Sequence, residues 1–379
     1  MDKLRVLFPS FPRRRESRPA PSLSWIPARA SLRPLGRNDL RSVESPSAIC
    51  VITRITILVA VLIPSFVRTS AAEKIRTAIP QANLNYLSIY VADGRGFFKE
   101  EGLDNETVVI SGPLATAALL SGDVDFSGGG GSGMRAALKG APVKGIYFQT
   151  EKVTFYLVAD PSIKSAADLK GKRIAVGSPG DTQDRIMAMF AERNGVSGRE
   201  LIRISMGSDT NTRITAIKTG AAHAAVVDPG GLVFAQKEGL VSLGFLGDLF
   251  PMPFQGFVTV DKKIRENPGQ IKRWLRAAIR GLMFVRDRPE DSVDIGMKKL
   301  QLGRATRAMV LEGTRNYVRA LPQGVPGLPT AEGIKNFLEY DIRIPMQIKD
   351  DIPPERLLHL QLVEEVRKEL EAPQRRTTK

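Results

Sequence analysis

Apolar residues along this chain fall into two rhythms. Short continuous runs, such as Ile75–Ile79, Val143–Thr150, Val153–Ala159, Ile174–Val176 and Gly256–Val260, read as buried strands. Between them lie stretches in which apolar residues recur every three or four positions. The long tail from Asn267 to about Leu370 is of that kind, with Ile271, Trp274, Leu275, Ala278 and Leu282 on one helical face. Glu106–Ile110 reads as a second strand, and Ser111-Gly112-Pro113 opens the helix after it. Gly177–Thr182 turns into a helix that Asn194-Gly195 ends. Strands alternating with helices predict an α/β protein.

One unit occurs twice. Ala118–Gly122 closes a helix, Val124-Asp125-Phe126 starts a strand, a Gly-rich turn opens another helix, and Gly140 stops it. About a hundred residues on, Ala216–Gly220, Ala224–Val227, Asp228-Pro229-Gly230-Gly231 and Gly239 repeat the order. The glycine spacing is 18 residues in the first copy and 19 in the second. Two copies predict two similar lobes, and ligands in such folds lie where strands end against helix N-termini.

The 379 residues leave room for both lobes, and 42% hydrophobic with 25% charged residues describes a globular chain. The net charge of +15 is concentrated early: residues 1–72 hold 12 Lys/Arg against 4 Asp/Glu, leaving +7 for the rest. No Arg/Lys run is interleaved with aromatics, so nucleic acid is not an expected partner. Cys50 is the sole cysteine and His223 and His359 the sole histidines. Disulfides, thiolate metal sites and a histidine triad are therefore not expected, nor is any cofactor.

Ile55–Val67, preceded by Arg54 and followed by Thr69-Ser70-Ala71-Ala72, has the form of a secretory leader cleaved after Ala71 or Ala72. As a helix it would span only about 20 Å of a roughly 30 Å membrane core. Residues 1–50 are rich in Arg, Pro and Ser without a sustained period. They resemble translated bacterial intergenic repeat DNA, and Val51 is the expected start.

Three stretches resemble one family: Gly94-x-Gly96-Phe97-Phe98-Lys99-x-x-Gly102-Leu103, Ser121-Gly122-Asp123-Val124-Asp125, and Ile163-Lys164-Ser165-x-x-Asp168-Leu169-Lys170-Gly171-Lys172-Arg173-Ile174-Ala175-Val176. They are similar to substrate-binding proteins of ABC importers, in the nitrate/sulfonate/taurine and thiamine-pyrimidine-precursor branch. The resemblance covers about residues 75–345. It implies the two-lobed type II periplasmic-binding fold: mixed sheets flanked by helices, two crossover hinge strands expected near Tyr156–Ala159 and Gly256–Val260, and a helical C-terminus. His223 departs from it, since an acidic residue is usual there. The implied division is an extension (1–50), a leader (51–72), lobe 1 (73–158), lobe 2 (159–256) and a return to lobe 1 (257–379). A monomeric exported protein, a small-molecule ligand and an inner-membrane ABC permease as partner follow from the same resemblance.

Ser127–Gly133 matches a dinucleotide fingerprint formally, but it does not lie in the first strand–helix unit and lacks the later acidic ribose contact. Its glycines are expected either to aim backbone N–H groups at a ligand or simply to make a tight turn. The first reading makes Gly130, Gly131 and Ser132 ligand residues. On the other lobe Ser178, Gly180, Asp181 and Thr182 converge at a helix N-terminus, where capping is the alternative. Asn83, Leu84 and Tyr86, just after the first strand, and Gly112, just after the second, stand where the implied fold puts cleft residues and are expected ligand residues. Asp228 either points across the cleft or caps the helix beginning at Pro229. Phe97-Phe98 and Phe155-Tyr156 read as core. The leading function is a non-catalytic solute receptor. An enzyme on the same fold, pyrimidine-synthase-like or chorismate-dehydratase-like, and a stand-alone sensor or scavenger are the alternatives.

Overall fold

The computed structural model describes residues 71–207, 209–300 and 305–372. The expectations for 1–50 and for the leader up to Ser70, with Cys50, lie outside the described residues. Lobe 1 is built on strands β1 (Glu73–Ile79), β2 (Leu103–Val109), β3 (Phe126–Ser127), β4 (Val143–Thr150) and β10 (Phe254–Val260), in the order β2-β1-β3-β10-β4. Lobe 2 contains β5 (Tyr156–Ala159), β6 (Arg173–Val176), β7 (Ile202–Ser205), β8 (Ala224–Val227) and β9 (Val241–Phe245), in the order β7-β6-β8-β5-β9. Each sheet has three parallel strands and then a strand running antiparallel to both its neighbours: β10 in lobe 1, β5 in lobe 2.

The repeat lies where its pattern puts it. Gly122 and Gly220 end the first helix of each copy with φ of 83° and 75°, a left-handed turn that glycine makes without steric cost. The following strands, β3 and β8, are wholly buried, as parallel strands covered on both faces must be. Helices Gly130–Leu138 and Pro229–Lys237 complete the two copies.

The sheets divide the chain a few residues away from the expected boundaries. Tyr156–Ala159 and Gly256–Val260, expected as hinge strands, pair inside sheets of lobe 2 and lobe 1 respectively. The chain crosses between lobes just before each of them, over residues 151–155 and 246–253. An extended apolar run looks the same whether it pairs in one sheet or links two. The tail is also less uniform than its periodicity implies. A π-helical turn, Leu338–Arg343, follows helix Ala331–Phe337 and carries Asp341 inward. No helix among the described residues is long and apolar enough to cross a membrane.

Lobe 1 is organised around Trp274 of helix Pro268–Asp287. Its indole is fully buried, stacks on Phe126 at 4.5 Å, and donates from Nε1 to the Thr77 hydroxyl at 3.0 Å. Gly281 on the same helix lies against the Ser88 carbonyl, an approach that any Cβ would block. Replacing Trp274 by Ala removes the largest fully buried side chain among the described residues and leaves the Thr77 hydroxyl with only its bond to Asn105 Oδ1, at 2.6 Å. Denaturant unfolding of Trp274→Ala is expected to show a loss of about 3–5 kcal/mol. A loss below about 1 kcal/mol, the scale of an ordinary surface change, would mean that the lobe is held elsewhere.

Candidate functional site

Two cavities lie between the lobes. The first, about 770 Å³, is lined from lobe 1 by Tyr86, Gly112, Gly130, Gly131 and Ser132. Ser178, Asp181 and Thr182 line it from lobe 2, and all eight are among the expected ligand residues. The second, about 690 Å³, takes in Asn83, Leu84 and Asp228. Gly180 lines neither; its carbonyl accepts from Arg135 Nη2 at 3.2 Å and from Arg185 Nε at 3.0 Å.

Asp228 lines the second cavity rather than the one lined by the Gly128–Ser132 loop, and of its two expected roles the structure shows the capping one. Its Oδ1 accepts from the Gly231 N–H at 3.0 Å and the Thr210 hydroxyl at 3.3 Å, which makes it the N-cap of helix Pro229–Lys237. The reason lies in how the lobes face each other. The loop after β3 of lobe 1 meets the loop after β6 of lobe 2 in the first cavity. The loop after β8 lines the second, and the loop after β1 lines both. Equivalent pieces of the repeat thus serve different cavities.

Two glycines let other parts of the chain come close at the first cavity. A Cβ on Gly130 would strike the carbonyl and Cα of Gly256, and one on Gly131 would strike Asp341 Oδ2 and Thr182 Oγ1. Helix Gly130–Leu138 begins at this point, so its first-turn N–H groups open onto the cavity without intrahelical acceptors. Asp181 caps the facing helix, Thr182–Arg193: Oδ1 accepts from Asp184 N–H at 2.9 Å and Oδ2 from Ser178 N–H at 2.7 Å. Its capping role and its place on the cavity wall are both realised.

Sequence reasoning missed six polar lining residues, Gln81, Asn85, Ser111, Gln183, Gln255 and Asp341, and most of the aromatic wall of Phe148, Phe155, Phe254 and Phe337. Phe155, read as core, is buried and also lines the wall. Asn85 and Gln183 directly adjoin flagged positions and Gln81 lies two residues before one, so the strand-end rule that chose Tyr86 and Thr182 would have found them with a wider window. His223, on the turn before β8, accepts the Arg173 N–H on Nδ1 at 3.2 Å and lines neither cavity.

Charge is buried around the cavity in two groups. Arg135 Nη1 meets Asp341 Oδ2 at 2.6 Å with both side chains almost fully enclosed. Burial pushes the Asp341 carboxyl above its ordinary range, opposed mainly by the Arg135 guanidinium. Arg213, fully buried, donates to Gln183 Oε1, to the Val226 carbonyl at 2.7 Å and to Thr210 Oγ1 at 3.1 Å. Its charge acts on both Asp181 and Asp228, whose carboxyls burial nevertheless pushes up.

Two α/β lobes linked by two crossings and enclosing a ligand-sized cleft form the architecture of periplasmic binding proteins. The chain belongs to the NMT1/THI5-like family, whose profile matches residues 83–292. A Brucella abortus (strain 2308) protein named for a binding role is 28% identical over 221 residues, covering 57% of this chain and 68% of that protein. The riboflavin-binding protein RibY of Chloroflexus aurantiacus is 24% identical over 238 residues, 58% of this chain and 65% of RibY. Among solved structures, the alkanesulfonate-binding protein SsuA of Xanthomonas axonopodis pv. citri, bound to MOPS, superposes with a TM-score of 0.61. Identity is 18%, over 76% of this chain and 97% of SsuA. The periplasmic nitrate-binding protein NrtA of Synechocystis PCC 6803 gives 0.63 at 13% identity, over 80% and 90%. The desulfurization enzyme DszB also shares the fold, at 0.57. Family and cleft together support a solute-binding role.

Asp228 yields a test with a definite sign. Its carboxyl, pushed above the ordinary 3.8 by burial, holds a proton more tightly folded than unfolded. Its contribution to stability therefore falls as pH rises from the unfolded value through the raised folded one. Asp228→Asn keeps a good cap and removes the titration. Denaturant melts from about pH 4 to about pH 7 should show a shallower decline for the variant than for the wild type. An unchanged decline would assign the titration to Asp181 or Asp341 instead.

Proposed function

We propose that this protein is an exported solute receptor that closes its two lobes on a small, uncharged, planar organic molecule and hands it to an ABC import permease. One observation carries the reading: the first cavity is walled by Tyr86, Phe148, Phe155, Phe254 and Phe337, and no Lys, Arg or His among the described residues lines it. Aromatic faces favour a flat apolar body. An anion such as a sulfonate or nitrate would be buried beside Asp181 and Asp341 without a lining cation, which costs several kcal/mol for an unpaired ion, so an uncharged ligand is favoured.

The same lining argues against catalysis. The Tyr86 hydroxyl donates to the Gly128 carbonyl at 3.0 Å, and burial raises its pKa far above the ordinary range. Both Asp181 oxygens accept backbone N–H groups, and Asp341 is paired with Arg135. An enzyme would need a base or nucleophile activated by a partner. The lining serines and Thr182 have no histidine or lysine beside them in the cavity.

Thermal unfolding in the presence of uncharged aromatic solutes, nitrate, taurine and alkanesulfonates tests the reading. An uncharged aromatic solute at a hundred times its dissociation constant should add about 2.7 kcal/mol of stability. Stabilisation by an alkanesulfonate or nitrate alone would overturn the ligand class. Conversion of any solute to a product would overturn the receptor role.

A further inference from the structure

Four amide side chains line the first cavity and are at least nine-tenths buried: Gln81 at 8% exposed, Asn85 at 2%, Gln183 at 4% and Gln255 at 1%; both ends of Gln255 are bonded within the protein, which leaves three to face a ligand. An amide can face a ligand with its carbonyl or with its NH2, and the protein around each one decides which. For Gln183 the decision is absolute. Arg213 donates to Oε1, and a guanidinium has no acceptor to offer, so Nε2 must turn to the cavity.

For Gln81 the decision descends from the backbone. The Asn85 N–H donates to Asn83 Oδ1 at 3.1 Å, which leaves Asn83 Nδ2 to donate to Gln81 Oε1 at 2.5 Å. Gln81 Nε2 is then the free end. Asn85 sits at the end of a longer relay. The fully buried Tyr317 hydroxyl donates to Gln255 Oε1 at 2.8 Å, Gln255 Nε2 to Thr154 Oγ1 at 3.1 Å, and Thr154 to Asn85 Oδ1 at 2.8 Å. Run backwards, the relay would leave the buried Tyr317 proton without an acceptor among the described residues. Gln255 holds its place with φ of 53°, a left-handed backbone rare outside glycine and typical of functional sites.

The NH2 groups of Asn85 and Gln183 thus face the first cavity, and that of Gln81, which lines both cavities, is likewise without a protein acceptor among the described residues. The first-turn N–H groups at Gly130, Gly131 and Ser132 add further donors. On the accepting side both Asp181 oxygens are occupied, while Asp341 Oδ1 has no partner.

We propose that the cavity is a hydrogen-bond-donating site for a planar cyclic dione or imide, a ring whose edge offers carbonyl oxygens and ring nitrogens together with a single N–H. Arg213, Asn83 and Tyr317 are positioning residues that set this polarity from behind the wall. The proposal rests on the solute-receptor reading above and specifies its ligand.

Calorimetric titration with uracil, lumazine and riboflavin, which share a dione edge, tests it against 2,4-diaminopyrimidine and 2,4-diaminopteridine, which present donors on rings of the same shape. At least one dione should bind, and its diamino counterpart should bind about tenfold or more weakly, because a site built to donate leaves its groups unpaired against donors. In Gln183→Glu and Asn85→Asp an acceptor replaces the donor, and Arg213 or Thr154 can still donate to it. Each should lose about tenfold or more in dione affinity while keeping its unfolding midpoint. If Gln183→Glu unfolds early, Asn85→Asp carries the test. Failure of every dione, equal binding of a diamino ring, or unchanged affinity in the folded variants overturns the proposal. Binding of taurine or nitrate without any dione overturns it too but leaves solute binding standing. If no solute binds and none accompanies the purified protein, the receptor reading falls as well.

Discussion

The cleft depends on two missing side chains. At Gly130 and Gly131 the start of a lobe 1 helix comes against the backbone of Gly256, the carboxylate of Asp341 and the hydroxyl of Thr182. These belong to the returning strand, the C-terminal region and lobe 2, so three distant parts of the chain meet there. A single methyl at either position forces one of them away. The same approach lets helix N–H groups of lobe 1 open onto a space whose other wall is a helix N-terminus of lobe 2.

Buried charge holds this meeting point in register. Arg135 reaches Asp341 with one nitrogen and the Gly180 carbonyl with the other, linking lobe 1, the C-terminal π-turn and lobe 2. Deeper in lobe 2, Arg213 lies between Asp181 and Asp228, one on each cavity. Such pairs are costly to desolvate and contribute little net stability. Their value is directional: a guanidinium can only donate, so each carbonyl it touches is fixed in orientation. Arg213, which does not line the first cavity, in this way fixes Gln183, which does.

Much of the fold was legible in the chain. The doubled helix–strand–helix unit announced two lobes because glycine stops and buried strand runs are local signals, and both copies fold as their pattern implies. Eight of the expected ligand residues line one cavity because strand ends and helix N-termini are also locally marked. Asp228 and Asp341 show where local reading ends. Asp228 follows its strand just as the residues before Gly130 follow theirs, but the relative orientation of the lobes sends it to the other cavity. Asp341 lies in an amphipathic tail, and only a π-turn, which shifts the helical period, brings it inward. The crossings at 151–155 and 246–253 were blurred for a related reason: pairing partners, not composition, distinguish a linking strand from a sheet strand.

The most direct test of the account is to identify what the protein carries. Native mass spectrometry of the protein purified under gentle conditions, followed by release and identification of any bound molecule, reads out the ligand without a guess. The account predicts one equivalent of an uncharged, planar molecule with a carbonyl-rich edge. One equivalent of a sulfonate, nitrate or other anion would contradict it.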